Sequence, residues 1–418
     1  MKVLIIGNGI AGVSVAGALR KLDPDPARLS IEIFTREPYE LYSRIRLPEI
    51  FRSRLEPDDL QMYQPGWYEQ RGIQVHKNRK VARLLRAEKK ILLEDGEQAS
   101  YDKLVLCMGA SSARPPIPSC DLEGIFTIRE YGDADALRRY LQAGTRQAVV
   151  LGGGLLGLEA AHHILSPALE RLTVIEQAPR LLPRQLDETG ASLLQRLVER
   201  WPCRVLVGTS VSEFLGRGKV EGVRLVDGRE LPAQTVLISA GIRPRIELAR
   251  EAGLVVNRGI VVDSRLRSSD PDIYVAGDLV EFEWVVWGII PAALDHAPVV
   301  AHNLLGSPGA QVYQQTIPQN TLKVAGIELA SIGKVVLDGE GGFEVVQRYD
   351  ERQDRYEKWV FLQRRLVGAL LIGSRENLAF ARRSLGRELD PTEVRSLPWS
   401  RGVLEPPAGM RDTTANSP

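Results

Sequence analysis

Short apolar runs, each closed by a glycine turn, set the rhythm of this chain. Val3-Leu4-Ile5-Ile6 runs into Gly7 and Ala148-Val149-Val150-Leu151 into Gly152; after each turn the apolar positions take up helical spacing. The first β-turn-helix covers Lys2 to Lys21, with Val13, Ala16 and Leu19 on one helical face. Asp23-Pro24-Asp25-Pro26 ends it, because proline cannot continue a helix, and a strand over Leu29–Thr35 leads to Arg36-Glu37. The second unit repeats the order: strand Ala148–Leu151, helix from Leu155, break at Ser166-Pro167, strand Arg171–Glu176. Such βαβ repeats build a doubly wound parallel α/β sheet. Further strands are expected at Lys103–Cys107, Thr235–Ser239 and Ile273–Ala276, closed by Gly109, Gly241 and Gly277. Those strand ends face the ligand crevice of a parallel sheet, where glycine permits close cofactor approach.

From about residue 310 the pattern turns antiparallel, with strands expected at Val312–Gln315, Leu322–Val324, Ser331–Val336, Phe343–Tyr349 and Lys358–Leu362. A helix over Arg375–Leu385 follows. The tail from Pro391 holds five prolines and little apolar pattern, so it is expected to be extended or disordered.

The two turns read Gly7-Asn-Gly9-Ile-Ala-Gly12 and Gly152-Gly-Gly154-Leu-Leu-Gly157, 145 residues apart. A G-x-G-x-x-G turn lets the backbone approach a pyrophosphate and aims a helix N-terminus at it. Two of them imply two dinucleotides on one polypeptide, a flavin and a nicotinamide, with electron transfer between them. Glu176 ends the strand after the second turn, where a carboxylate accepts ribose hydroxyls and repels a 2′-phosphate. That favours NADH; Arg180, within reach of a phosphate, keeps NADPH open as the other donor. In the first unit Thr35 stands where the acid is expected, and Glu37 takes the ribose role two residues on. Asp278, after the strand Ile273–Ala276, presents a carboxylate to a polyol or ribose hydroxyl.

Charge narrows the partners. Across 418 residues, 54 Lys and Arg face 53 Asp and Glu, and no basic cluster interleaves with aromatics, which argues against nucleic acid. Cys107, Cys120 and Cys203 are too widely spaced for a redox C-x-x-C, a metal site or a disulfide framework. No apolar stretch approaches the ~18 residues of a membrane span. A cytoplasmic protein is expected.

Five motifs fall in one order: the two glycine turns, Tyr101–Gly109 with Cys-Met-Gly at its end, Gly241-Ile-Arg-Pro244, and Gly277-Asp278. In these the chain resembles the pyridine nucleotide-disulfide oxidoreductases, over about residues 1–390. The resemblance implies a glutathione-reductase-like α/β fold: two doubly wound dinucleotide-binding domains plus an α+β C-terminal domain. It implies an FAD-binding domain over 1–115 and 241–308, an NAD(P)H-binding domain over 116–240, a C-terminal interface domain over 309–390 and a tail over 391–418. FAD is implied at Gly7, Gly9 and Gly12, with Glu37, Arg44, Gly109, Gly241, Gly277 and Asp278; NAD(P)H is implied at Gly152, Gly154 and Gly157, with Glu176. Helix Pro291–Leu305 then points its positive N-terminus at the flavin ring. The state is expected to be monomer or homodimer.

Disulfide reductases of this superfamily carry a C-x-x-x-x-C pair after the first βαβ strand, and peroxidase relatives a single cysteine. Here the corresponding segment, Leu41-Tyr-Ser-Arg-Ile-Arg-Leu-Pro48, holds no thiol, and Ile45 aligns with the single cysteine. No histidine follows His302, so the superfamily's C-terminal His-x-x-x-x-Glu pair is missing too. Electrons are therefore expected to leave directly from the flavin. This run and Thr321–Leu329 look like NADH:rubredoxin reductases and the flavoprotein part of NAD(P)H-dependent nitrite reductases. The implied acceptor is rubredoxin or a similar small iron protein. Relatives that serve oxygenase ferredoxins often pair a lysine near flavin N5 with the glutamate two residues after the second glycine turn; Glu159 matches that glutamate, but Glu49 aligns with the lysine. Arg44 or Arg46 is expected to supply the compensating charge, with Glu49 turned away. Trp284 and Trp287 are read as stacking near the flavin, flooring an acceptor patch, or packing in the core. Cys107 reads as a packing thiol, and His162 and His163 diverge on their helix. No metal site is expected. Two other readings stay open: an NADH oxidase that makes hydrogen peroxide, and a non-catalytic nucleotide-bound redox sensor.

Overall fold

The computed structural model describes residues 1–306, 309–324 and 326–399. The chain divides into two compact units: Met1–Ala113 with Ile128–Asp135 and Ala240–Thr316, and the intervening stretches with everything from Ile317 on.

The first unit is built on a five-stranded parallel sheet, in the order Ile273–Val275, Lys103–Leu106, Lys2–Ile6, Ser30–Phe34, Ile73–His76. Val3, Leu4, Ile5, Leu104, Val105 and Leu106 are wholly buried, as continuous apolar runs are when both faces of a parallel sheet are covered. Helix Ile10–Leu22 follows the first strand, and helix Ile290–Leu304 contributes to the same core. The break after Leu22 is sealed by Arg20. Its guanidinium, buried and held below its ordinary pKa by desolvation, donates to the carbonyls of Arg71, Asp23, Leu29 and Gly72. A second two-stranded pairing, Ala110–Ser112 with Ile242–Pro244, rejoins the chain where it re-enters this unit.

The second unit carries its own parallel sheet, in the order Cys203–Val207, Arg171–Glu176, Gln147–Leu151, Thr235–Ile238, Ile125–Thr127. Helices Leu155–Ile164 and Glu188–Val198 belong to it. It also holds an antiparallel sheet, in the order Gln319–Val324, Ile327–Gly333, Arg365–Ile372, Arg355–Leu362, Phe343–Asp350. Alternation along Arg355–Leu362 sorts its two faces. Trp359 and Phe361 enter a core with Ala381 and Val394. Tyr356 and Lys358 turn the other way, onto Asp187 at the start of helix Glu188–Val198, at 2.7 and 3.0 Å. Asp187 also caps that helix through the Gly190 amide.

Two expectations are corrected here, and one strand is added. Val312–Gln315 forms no strand: the Tyr313 amide donates to the Ser264 carbonyl, and its ring packs on Phe282 and His296. A strand at Arg365–Ile372 went unread because its apolar run around Gly368 does not alternate. It is a central strand, and an added Cβ on Gly368 would lie 2.0 Å from the Lys334 carbonyl oxygen. The described part of the tail, up to Trp399, holds regular structure. Asp390, Pro391 and Glu393 make a capping box and proline start for the helical turn Pro391–Arg395. Arg348 then holds the Val394 carbonyl and lies 4.2 Å over the Trp399 ring. Residues 400–418 lie outside the described residues.

Among the described residues no helix is long and apolar enough to cross a membrane. Among the same described residues no group of three or more His, Cys, Asp or Glu could hold a metal ion.

Replacing Asp187 with Ala strips the helix cap and leaves the buried Lys358 ammonium unpaired, so urea unfolding should show a loss of about 3 kcal/mol. The double variant Asp187→Ala/Lys358→Met should recover part of that loss. Equal losses in single and double variants would show that the stranded charge is not the cause.

Two candidate dinucleotide sites

Both glycine turns follow one steric plan. Gly7 and Gly152 sit at φ +112° and +120°, where added Cβ atoms would fall 2.3 Å from the Cys107 carbonyl oxygen and 2.2 Å from that of Ser239. At Gly12 and Gly157 an added Cβ would fall 2.0 Å from the carbonyl oxygens of Gly7 and Gly152. The outer glycines are therefore demanded by the neighbouring strand and by the turn itself. An added Cβ at Gly9 or Gly154 meets nothing within 4 Å. These middle positions leave the open side of each turn clear. Gly9 and Gly154 are also the N-caps of their helices and make no side-chain cap, and neither first turn contains an acid. The amides and positive dipole ends thus stay available to an anionic pyrophosphate.

In the first unit, Gly277 (φ +80°) presses its turn onto the helix, with an added Cβ falling 2.7 Å from that of Ala11. Asp278 beyond it pairs with Arg129 at 2.5 Å. An added Cβ on Gly109 would stand 3.5 Å from Arg129 Nη2 and 4.0 Å from Asp278 Oδ2, so these three residues meet. Arg129 Nε is buried with no partner among the described residues, a donor that a polar ligand can satisfy. Around this pair runs a network of charges. Tyr42 donates to Glu37 at 2.5 Å, Arg44 pairs with the other Glu37 oxygen, and Arg44 Nη1 donates to the Arg129 carbonyl at 2.7 Å. Glu130 receives both Arg36 and Arg245. Burial works to raise the Glu130 carboxyl, but the Arg36 hydrogen bond and the charges of Arg36, Arg245 and Arg44 outweigh it and hold the group below its ordinary value. A partly buried polar cluster edged by guanidinium groups suits a dinucleotide with ribose and ribityl hydroxyls beside a diphosphate.

The structure thus brings together Gly7, Gly9, Gly12, Glu37, Arg44, Gly109, Gly277 and Asp278. Gly241 is not drawn in: it sits at φ +93°, exposed, its carbonyl accepting from the Ala113 amide. Arg46 makes a bidentate pair with Glu49 at 2.8 and 2.9 Å and donates to the Asp59 carbonyl. It reaches none of the cluster's carboxylates through those bonds. Arg36, Arg129, Glu130 and Arg245 were missed in the sequence. The charged run Arg129-Glu130 directly before helix Tyr131–Gln142 was the available signal, and Arg36 and Arg245 carried none.

In the second unit the Glu176 carboxylate is fixed by two backbone donors, Gly153 N at 2.7 Å and Ala178 N at 2.8 Å. That holds it at the glycine turn with lone pairs left for hydroxyl donors. Gly153 is closely packed, since an added Cβ would lie 2.5 Å from Leu181 Cδ2 and 3.0 Å from Glu176 Cβ. Arg180 is folded back, Nε to the Leu186 carbonyl at 3.1 Å and Nη2 to that of Pro183 at 3.3 Å. Glu159 lies half-buried on helix Leu155–Ile164.

Thiol chemistry is absent from the first unit's candidate segment. Ile45 is 58% exposed there, and Cys107 is buried, its thiol pushed far up by desolvation. One surface feature is distinctive. Phe282 and Val285 exchange both backbone hydrogen bonds across a two-residue turn in which Glu283 and Trp284 both have positive φ. Asn-Gly normally fills such a turn. Here the non-glycine strain presents Trp284 76% exposed, its carbonyl accepting from Arg258.

Comparison with known proteins agrees with this geometry. Residues 1–299 match the pyridine nucleotide-disulphide oxidoreductase family, and residues 318–382 match the rubredoxin NAD+ reductase C-terminal domain. The chain is 32% identical over 372 residues to the assimilatory nitrate reductase electron transfer subunit of Bacillus subtilis, covering 89% of this chain and 47% of that protein. It is 32% identical over 315 residues to a rubredoxin-NAD(+) reductase of Ectopseudomonas oleovorans, covering 73% and 80%. The chain spans about half the length of the first curated relatives it matches. Among solved structures, the ferredoxin reductase for the CYP199A2 system of Rhodopseudomonas palustris superposes with a TM-score of 0.84 at 27% identity, covering 95% of this chain and 97% of that one. Two glycine turns on one steric plan, each with its own parallel sheet, and a matching C-terminal sheet lead to one assignment: the chain belongs to the pyridine nucleotide-disulphide oxidoreductase family.

Proposed function

We propose that this chain is an FAD-dependent NADH oxidoreductase that delivers electrons to rubredoxin or a similar small iron protein, without a redox disulfide. The observation that carries the reading is the paired glycine turns, both uncapped and open at the middle glycine, beside a segment Leu41–Pro48 that holds no cysteine. A flavin, when bound, accepts two electrons as a hydride and releases them singly, which suits an iron acceptor. The rubredoxin reductase C-terminal domain match supports the acceptor class.

The residues divide the work. Gly7, Gly9 and Gly12 receive the FAD pyrophosphate; Glu37, Arg44 and Arg129 line its hydroxyl and phosphate groups; Asp278 takes the ribityl chain. Gly152, Gly154 and Gly157 receive the NADH pyrophosphate, and Glu159 helps position the nicotinamide. Glu176 accepts ribose hydroxyls and repels a 2′-phosphate. Arg180, engaged by two carbonyls, offers a 2′-phosphate nothing, which strengthens the preference for NADH. Arg46 neutralises Glu49, keeping an unpaired carboxylate from opposing negative charge on the reduced cofactor. Trp284 supplies an exposed aromatic surface for the acceptor, as anchors at protein interfaces do.

Anaerobic stopped-flow bleaching of the flavin tests the reading directly. NADH should bleach it rapidly and NADPH much more slowly; bleaching over minutes with either nucleotide would favour the sensor reading instead. Glu176→Ala should lower the NADH-to-NADPH ratio of reduction efficiencies by about tenfold, equivalent to ~1.4 kcal/mol of discrimination. An unchanged ratio removes Glu176 as selector. Arg46→Ala should slow flavin reduction and Arg46→Ala/Glu49→Ala restore it; a single variant at full speed ends that role. Trp284→Ala should slow rubredoxin reduction while leaving flavin bleaching by NADH intact, and loss of both together would count against a docking role.

A further inference from the structure

His296, in the middle of helix Ile290–Leu304, is only 1% exposed. Its Nδ1 accepts the Gly277 amide at 3.1 Å. A ring nitrogen that accepts carries no proton, so this imidazole is neutral with its hydrogen on Nε2. Nε2 is buried and without a partner among the described residues. The bond therefore falls on the one turn that aims Asp278, and that turn has no slack: Gly277 is left-handed and packed on Ala11. Protonating His296 would set an Nδ1–H against the Gly277 N–H, donor facing donor, in a site closed to water.

We infer that His296 is a positioning residue for the flavin: its neutral imidazole holds the Gly277–Asp278 turn, and its protonation frees the turn and releases bound FAD. The inference rests on the reading that FAD occupies the first glycine turn. The surroundings favour the neutral ring. On its own helix, Asp295 is turned away to the Thr316 hydroxyl, and His302 bonds the Gly309 carbonyl. Tyr313 meets the imidazole through its ring, centroids 4.6 Å apart, with its hydroxyl on Thr316. In the strand before the turn, Tyr274 donates to the Asn303 carbonyl, and Asp278 is paired with Arg129. Helix Ile10–Leu22 brings Arg20, bound to carbonyls, and Lys21, exposed, both in its last turn. None of these supplies a bond that would hold an imidazolium.

Desolvation lowers the His296 pKa from its ordinary 6.5 to about 4. A histidine depressed in the folded form contributes stability that is complete above its unfolded value and lost as pH falls from there toward the folded value. The window is thus from about pH 6.5 down to about 4.

The test is FAD retention by the full-length holoprotein, read as the fluorescence of released flavin while pH is lowered. Between about pH 7.5 and about pH 5 the apparent Kd of wild type should rise about tenfold or more, toward the ceiling of about 30-fold reached when the turn freed of FAD exposes the imidazole and returns it to its ordinary pKa. His296→Gln, whose amide oxygen accepts at every pH, should change about threefold or less over the same window. Equal rises in both proteins overturn the inference. The histidine C2–H resonances of the wild-type holoprotein give a second reading that needs no variant to fold. A His296 midpoint below about pH 5 supports the proposal and a midpoint near its ordinary value overturns it. Wild type that holds no FAD even near neutrality would overturn the reading of the first turn, and this inference with it.

Discussion

A missing Cβ is the constraint on which the rest of this structure depends. At Gly7 and Gly152 a side chain would strike the carbonyl at the end of the neighbouring strand, and at Gly12 and Gly157 it would strike the turn's own first carbonyl. Only with those positions bare can each helix start directly over the carboxyl end of its sheet. That placement leaves an uncapped helix terminus at the strand ends, suited to the charge of a dinucleotide's diphosphate. The close approach of strand, turn and helix at both candidate sites follows from one steric condition, met twice.

The second level of organisation is electrostatic. The first unit is assembled from three separate stretches of chain, and arginines tie them together: Arg44 to the Arg129 carbonyl, Arg129 to Asp278, Arg245 and Arg36 to Glu130. Each bond joins residues far apart in sequence, and partly desolvated pairs of this sort act more strongly than surface pairs. In the proposed function the same groups line the flavin site, so cohesion and ligand binding there share residues. In the second unit Asp187 plays the comparable part, capping a helix of the nucleotide-binding portion while receiving Tyr356 and Lys358 from the C-terminal sheet.

Backbone donors and acceptors finish the sites. Glu176 is aimed by two amides, Arg180 is withdrawn by two carbonyls, and the Gly277 amide is held by His296. Such contacts set the direction in which a side chain can act.

How much of this was legible in the sequence follows from the range of the forces involved. The glycine turns, the strand Arg171–Glu176, the Gly277-Asp278 turn and the acid at Glu176 were readable, because sterics and strand–helix periodicity act within a few residues. The strand Arg365–Ile372 was hidden, since a central strand loses its alternation when both faces are covered, and the turn at Pro391–Arg395 was masked by proline content despite its capping box. The partners of Arg36, Arg129 and Arg245, the fold-back of Arg180 and the neutral state of His296 were decided only by tertiary structure. Ion pairs and buried hydrogen bonds join residues through space, and desolvation is a property of the surroundings. The sequence by itself determined where dinucleotides could be held; packing determined which charges meet them.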